Sequence, residues 1–207
     1  MIIIPLSYVI NLSFSTGIFP DRLKIAKVLP LFKGGSSEEL GNYRPISLLS
    51  IFDKIFEKVM HTKLYTFLEI NSILYIKQFG FRKENSTALA LIDIVEKIKN
   101  TIDKGKYGCG IFIDLKKAFD TVNHQILLSK MEHYGIRGTL LKWFESYLTD
   151  RKQFVYHNGE SSSLKSISCG VPQGSVLGPL LFLIYVNDIP NMSSKLIFYL
   201  FADDTNI

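Results

Sequence analysis

The sequence is poor in residues that build metal or disulfide scaffolds. Only two cysteines occur in 207 residues, Cys109 and Cys169, and they form no C-x-x-C pair. The four histidines include no H-E-x-x-H pattern. A structural zinc site or a disulfide framework is therefore excluded as the organising element. A reduced, intracellular setting, nuclear or cytoplasmic, is the expectation. No targeting signal is readable, because the apolar start Met1-Ile2-Ile3-Ile4-Pro5 lacks a basic n-region and a small-residue cleavage site. Long hydrophobic runs are scarce too. Val176 to Val186 is broken by Gly178-Pro179 and falls short of the roughly 20 residues that span a bilayer. It reads as a buried helix, and no membrane partner is expected. Internal repeats, low-complexity linkers and compositionally disordered stretches are also lacking.

What is present is apolar and mildly basic. Apolar residues make up 47% of the chain, enough core for one large domain or two tightly packed subdomains. The net charge of +5 suits a polyanion partner, though many ordinary enzymes are as basic.

Patterning alternates between helix and strand. Residues 6–16 form an apolar helical lead-in, closed by Gly17 and Pro20. Lys27 to Lys33 reads as a strand entering the loop Gly34-Gly35-Ser36-Ser37. Ser50 caps a helix, with Asp53 as its capping-box partner, and Phe52, Ile55, Phe56, Val59, Leu64 and Phe67 recur at helical spacing. Ser86 or Thr87 caps another, whose buried stripe is Ala88, Leu91, Ile92, Val95 and Ile98. Tyr107 to Leu115 is β-rich. Asn123 caps a helix running to Tyr134 and closed by Gly135, and another covers Leu140 to Leu148. Asn158-Gly159 marks a two-residue hairpin turn. Gly170 to Gly174 is a loop feeding an apolar helix that Pro190 ends, and Leu196 to Ala202 is a strand with Asp203-Asp204 at its tip. The pattern is α+β, with helices expected over one face of a small antiparallel sheet.

The chemistry-bearing residues are carboxylates at strand ends. Asp114 closes the apolar run Ile111-Phe112-Ile113, and Asp203-Asp204 follow the apolar run Ile197 to Ala202. Charge is depleted in strands and costly to bury unpaired. Taken singly, each reads more often as a turn or a solvent-facing strand end. If the two strands are neighbours, three carboxylates converge. Two unit charges about 4 Å apart repel by roughly 4 kcal/mol at an effective dielectric near 20. Such a cluster calls for cations, and an oxygen-only donor set favours hard Mg²⁺. Paired Mg²⁺ ions suit phosphoryl transfer.

Three segments, in this order, carry a family resemblance. Phe112-Ile113-Asp114-Leu115-Lys116-Lys117-Ala118-Phe119-Asp120 resembles the first palm motif of reverse transcriptases. Gly170-Val171-Pro172-Gln173-Gly174-Ser175-Val176-Leu177-Gly178-Pro179 resembles the second. Phe201-Ala202-Asp203-Asp204 resembles the third, with Phe where other members carry Tyr. Upstream, Asn42-Tyr43-Arg44-Pro45-Ile46-Ser47-Leu48-Leu49 and Gln78-Phe79-Gly80-Phe81-Arg82 are similar to finger motifs of the non-LTR (LINE-like) retrotransposon branch. The resemblance covers about residues 17–207. It implies a right-hand polymerase fold with fingers at about 17–105 and most of a palm at about 106–207. With the chain stopping at Ile207, the return strand after Asp204 and the thumb are expected to be missing.

It also implies roles. Asp114 and Asp203 are the main metal ligands, Asp204 completes the cluster, and two Mg²⁺ ions, replaceable by Mn²⁺, are the cofactors. Phe119 takes the steric-gate position under the sugar of the incoming nucleotide, which favours dNTPs over rNTPs; by itself it reads as a core aromatic. Lys33 and Arg44 neutralise the triphosphate. Backbone N–H groups of the Lys116-Lys117-Ala118 turn hold phosphate oxygens, Gln173 braces the sugar, and Gly174 permits close backbone approach. Phe79, Phe81, Arg82 and Lys83 interleave rings with cations, as a template-binding surface does; the alternative is core rings with solvated charges. The implied activity is RNA-directed DNA polymerisation, with RNA template, DNA primer and dNTPs as partners. A non-catalytic remnant or domesticated nucleic-acid-binding module is the second reading. An RNA polymerase is disfavoured by Phe119.

Overall fold

The computed structural model of the chain describes residues 2–207. Its helices are α1 (Ile3–Thr16), α2 (Ile51–Ile70), α3 (Thr87–Asp103), α4 (His124–His133), α5 (Thr139–Leu148) and α6 (Gly178–Val186). Its strands are β1 (Ile25–Phe32), β2 (Tyr43–Leu48), β3 (Phe112–Asp114), β4 (Lys152–His157), β5 (Glu160–Ser161), β6 (Lys165–Ser166), β7 (Tyr199–Phe201) and β8 (Asp204–Asn206).

Local chemistry sets several boundaries as expected. Ser50 Oγ accepts from Phe52 N–H at the start of α2, and Asn123 Oδ1 from Ile126 N–H at the start of α4. Asn158 and Gly159, at φ +49° and +89°, form the left-handed turn joining β4 to β5. Helix α6 is apolar on every side and buried nearly throughout. It ends at Val186, short of Pro190, which lies in a following 3₁₀ turn.

The core is built on aromatics. Phe19 meets Phe56, Trp143 and Tyr147 edge-on, with ring centroids 5.8, 5.4 and 5.1 Å away. Helix α1 is part of this core and more than a lead-in. Trp143 Nε1–H donates to Ser13 Oγ at 3.0 Å, and Ile10 is buried.

Two sheets form, not one. In the larger, the order is β2-β1-β4-β5, with β6 also on β4; β1 and β2 are antiparallel, β1 and β4 parallel. Strand β4 lies beyond residue 106 yet pairs with β1, so sheet membership crosses the expected linear division at 105/106. The smaller sheet is antiparallel, in the order β3-β8-β7.

That second sheet overturns an expectation. Strands β3 and β7 are not neighbours, because a return strand does form and lies between them. Ala202, at φ +56°, turns the chain so tightly that Asp204 already pairs with Phe201. Three residues suffice because β8 pairs on both flanks, and Ile111 and Ile207 extend the ladder with reciprocal 2.9 Å bonds. Strand β7 is no open edge either. Phe79 N–H donates to Leu200 O at 2.7 Å, and Leu200 N–H to Lys77 O at 3.0 Å. The exposed edge is β3, where Phe112 is 79% accessible.

Two further expectations fail for one reason. Periodicity shows that a helix is two-faced, not what lies opposite. The stripe Leu91, Ile92, Val95 and Ile98 on α3 is more than half exposed. Asp53 is no capping partner. It is fully buried and pairs with Arg151 of the distant α5–β4 junction at 3.2 Å.

Candidate active-site cleft

Strand β3 ends at Asp114, and the chain turns through Lys116 and Lys117 into a 3₁₀ segment, Ala118–Thr121. Lys117 sits at φ +56°, a left-handed conformation that a lysine adopts only in a tight turn. Across from this turn lie the ends of β1 and β2. Their connecting loop is tied by Tyr43 Oη donating to Ser37 O at 2.8 Å and by Lys33 N–H donating to Asn42 O at 2.8 Å.

Between these elements opens a cleft of about 970 Å³. Its lining includes Lys33, Arg44, Asp114, Lys116, Lys117, Ala118, Phe119, Gln173 and Asp203. Nine residues singled out in the sequence, drawn from five separate segments, thus share one cavity. Lys33, Arg44, Lys116 and Lys117 are exposed in it, as cations meeting a soluble anion must be. The Phe119 ring lies between the cleft and the core, stacked on Phe182 of α6 with centroids 4.7 Å apart. The ring thus packs as a core aromatic and also lines the cleft.

The acids are arranged across two strands. Asp114 and Asp204 are cross-strand partners, and Asp203 sits in the turn between β7 and β8. Asp114 and Asp203 face the cleft lining; Asp204 is exposed and outside it. Among the described residues, no three His, Cys, Asp or Glu side chains form a ready-made metal cluster. The donor set is nonetheless oxygen-only, which fits a hard dication that keeps some of its own waters.

Behind the acidic turn stands a brace that the sequence did not reveal. Gln78 is 2% exposed, and its Oε1 accepts from both Gly80 N–H at 2.9 Å and Ala202 N–H at 3.1 Å. A Cβ on Gly80 would lie 2.3 Å from Ala202 N. Gly80→Ala must therefore push backbone against backbone. It is expected to cost about 1–3 kcal/mol and to shift the Asp203 turn. A urea midpoint equal to that of the unmutated chain would show that the contact yields freely.

The neighbouring cations divide. Arg82 gives Nε and Nη2 to the Glu69 carboxylate at 3.1 and 2.9 Å and Nη1 to Tyr75 O at 3.1 Å. Its guanidinium is spent on holding α2, which leaves it little to offer a template. Lys83 keeps an exposed side chain near the Tyr65 ring. Phe79 is half-buried. Phe81, 52% exposed at φ +54°, stands edge-on to Phe119.

The Gln173 loop is fastened from two sides. Ser47 N–H of β2 donates to Gln173 O at 2.7 Å. Gly174, at φ +117°, comes so close that a Cβ would lie 2.7 Å from Ser47 O. The close approach anticipated at this glycine is thus to β2, and Gly174 is outside the cleft lining. On the far side Glu57 of α2, fully buried, accepts from Val176 N–H at 2.6 Å and from Tyr147 Oη. Asp53, one helical turn away, pairs with Arg151, which also donates to Tyr147 O. Burial pushes the Asp53 carboxyl up to about 7, reinforced by Glu57 and opposed by Arg151. Burial likewise raises Glu57, against the hydrogen bonds from Tyr147 and Val176. Glu57 and Arg151 escaped the sequence reading because each looks like an ordinary solvated charge, and Asp53 reads there only as a cap partner.

Known proteins can now be set beside this geometry. The family model described as "Reverse transcriptase (RNA-dependent DNA polymerase)" matches residues 32–207. The chain is 35% identical over 195 residues to the probable RNA-directed DNA polymerase from transposon BS of Drosophila melanogaster, an alignment covering 91% of this chain and 21% of the relative. It is 32% identical over 210 residues to the RNA-directed DNA polymerase from mobile element jockey of the same fly, covering 98% and 23%. The chain thus spans about a fifth of the length of the curated relatives it matches. In fold it is similar to apo telomerase from Candida tropicalis truncated from its C-terminal domain, with a TM-score of 0.60 at 15% identity, over 97% of this chain and 48% of that one. Among the described residues, no helix is long and apolar enough to cross a membrane. With its three motifs gathered on a right-hand polymerase fold, the chain belongs to the reverse transcriptase (RNA-dependent DNA polymerase) family, in the non-LTR, LINE-like retrotransposon branch.

Proposed function

We propose that this chain is the fingers and palm of an RNA-directed DNA polymerase that extends a DNA primer on an RNA template. The carrying observation is the single cleft in which Asp114 and Asp203 face Lys33, Arg44, Phe119 and Gln173. Two Mg²⁺ ions, or Mn²⁺ in their place, held by Asp114 and Asp203 with Asp204 beside them, would activate the primer 3′-hydroxyl and neutralise the leaving pyrophosphate. Lys33 and Arg44 take the outer phosphates, Arg44 through its planar fork. The N–H groups of the Lys116-Lys117-Ala118 turn take further phosphate oxygens. The 3′-hydroxyl then attacks the α-phosphorus, a new P–O bond forms, and pyrophosphate departs. For the template, Phe81 and Lys83 offer an exposed ring and cation, with Phe79 behind them and Arg82 fixing the segment they stand on.

Phe119 sets the sugar preference. Its ring stacks on Phe182, which holds it in place against a 2′-hydroxyl. In a polymerase-length chain carrying this domain, Phe119→Val is expected to raise rGTP use relative to dGTP by about tenfold, or roughly 1.4 kcal/mol of discrimination. Incorporation efficiencies opposite one template cytosine give the ratio. No change in it would place the ring's role wholly in the core.

A further inference from the structure

Gln78 is buried, yet only one end of its amide is used. Its Nε2 meets no hydrogen-bond partner among the described residues, while its Oε1 takes two backbone donors, Gly80 N–H and Ala202 N–H. Two donors converging on one end of the amide require the oxygen there, so the orientation is fixed. A buried NH₂ without a partner is a cost that an apolar side chain of similar length, such as methionine, would not carry. What offsets it is the pair of contacts made by the oxygen.

The two donors belong to different surfaces. Ala202 stands at φ +56°, a left-handed conformation that residues with a Cβ rarely adopt, and leads directly into Asp203 of the cleft. Gly80 leads directly into Phe81, itself left-handed at φ +54° and exposed beside Phe119. The two chains run together before they diverge. Gln78 bridges Leu200 in parallel register, and the Phe79 and Leu200 N–H groups donate to Leu200 O and Lys77 O. The acidic turn and the loop bearing Phe81 and Lys83 are thus one body, closed at its tip by a single amide oxygen. Two ligands that order one body lower the ordering cost for each other, and by linkage each raises the affinity of the other by the same factor. We infer that Gln78 is a positioning residue that couples the two surfaces: single-stranded RNA on the Phe81 loop and a divalent cation at Asp203 each favour the binding of the other. This inference rests on the polymerase reading above.

The test titrates Mn²⁺ onto a polymerase-length chain carrying this domain, with and without a short single-stranded RNA and with no nucleotide present. Free Mn²⁺ is followed by electron paramagnetic resonance. The double variant Asp114→Asn/Asp203→Asn supplies the background of Mn²⁺ held elsewhere, on the RNA included. Above that background, RNA should tighten Mn²⁺ about fivefold in the unmutated chain. Gln78→Met, which removes the acceptor and keeps the length, should weaken Mn²⁺ about tenfold in the absence of RNA. It should also cut the gain from RNA to less than about twofold. Gln78→Glu, which keeps an acceptor of the same reach, should retain most of that gain. Phe81→Ala, a surface change that leaves Gln78 in place, should lose the gain as well, so the inference is tested even where Gln78→Met does not fold. No gain in the unmutated chain, or a gain that Gln78→Met or Phe81→Ala leaves undiminished, overturns the inference and leaves the polymerase reading standing. If the unmutated chain binds no more Mn²⁺ than the double variant, the metal site and the polymerase reading fall, and this inference with them.

Discussion

Asp203→Asn, in a polymerase-length chain carrying this domain, is expected to lower dNTP incorporation by a factor on the order of 10³, the scale of losing one dominant charge-stabilising group. Asp114→Asn should do the same. Both side chains line the cleft, and neither accepts a hydrogen bond among the described residues. Neither, then, is doing structural service that its amide could not do. Asn keeps the shape and one oxygen but loses the charge that a pair of dications requires. Unfolding midpoints should accordingly stay close to that of the unmutated chain. Asp204→Asn should cost less, because Asp204 is exposed on β8 outside the cleft lining. Primer extension on an RNA template, with unfolding followed in parallel, makes the comparison. Near-normal extension by the Asp114 or Asp203 variant would reject the assignment of the metal site.

Arg151→Met should be the most destabilising substitution away from the cleft, by about 3–5 kcal/mol at neutral pH. Arg151 is 2% exposed and is the cation that offsets two buried acids, Asp53 and Glu57. Its loss strands both. The effect carries a pH signature. Burial already raises both carboxyls in the folded state, so the folded chain holds protons that the unfolded chain, titrating near 4, has released. Stability from Asp53 is therefore complete below about pH 4 and declines as pH rises toward about 7, and Glu57 acts in the same direction. Removing Arg151 raises both acids further and steepens that decline. The gap between variant and unmutated chain should be widest near pH 8 and narrow near pH 5. Urea midpoints at the two pH values decide it. An equal gap at both would show that the acids stay ionised without their cation. Because Glu57 also holds Val176 N–H, the variant should loosen the Gln173 loop as well.

The two predictions differ in how far the sequence anticipates them. Asp114, Asp203, Phe119 and Gln173 are legible because three motifs occur together in one order. Taken singly, a carboxylate ending an apolar strand, a ring after a turn or a Pro-Gln-Gly loop reads as ordinary structure. Motif order allows them to be read together. Arg151, Asp53, Glu57 and Gln78 carry no such signal. Each is a common residue at an unremarkable position, and its importance lies in a partner far along the chain. Asp53 and Arg151 are joined only when α2 packs against the end of α5. Gln78 matters only because β7 returns beside it.

By itself, the sequence determined the alternation of helices and strands, the caps at Ser50 and Asn123 and the Asn158-Gly159 turn. These follow from short-range sterics, hydrogen bonding and apolar periodicity, all of which act within a few residues. Tertiary structure alone decided the strand order. It put β8 between β3 and β7, joined β4 to β1 across the expected boundary, and left the apolar face of α3 uncovered. It also decided that Gly174 approaches β2 and that Arg82 is committed to Glu69. The physical reason is that backbone pairing and burial depend on which surfaces meet after collapse. An amphipathic stripe or a lone charge specifies the kind of partner it needs, and only the packed fold determines which one it finds.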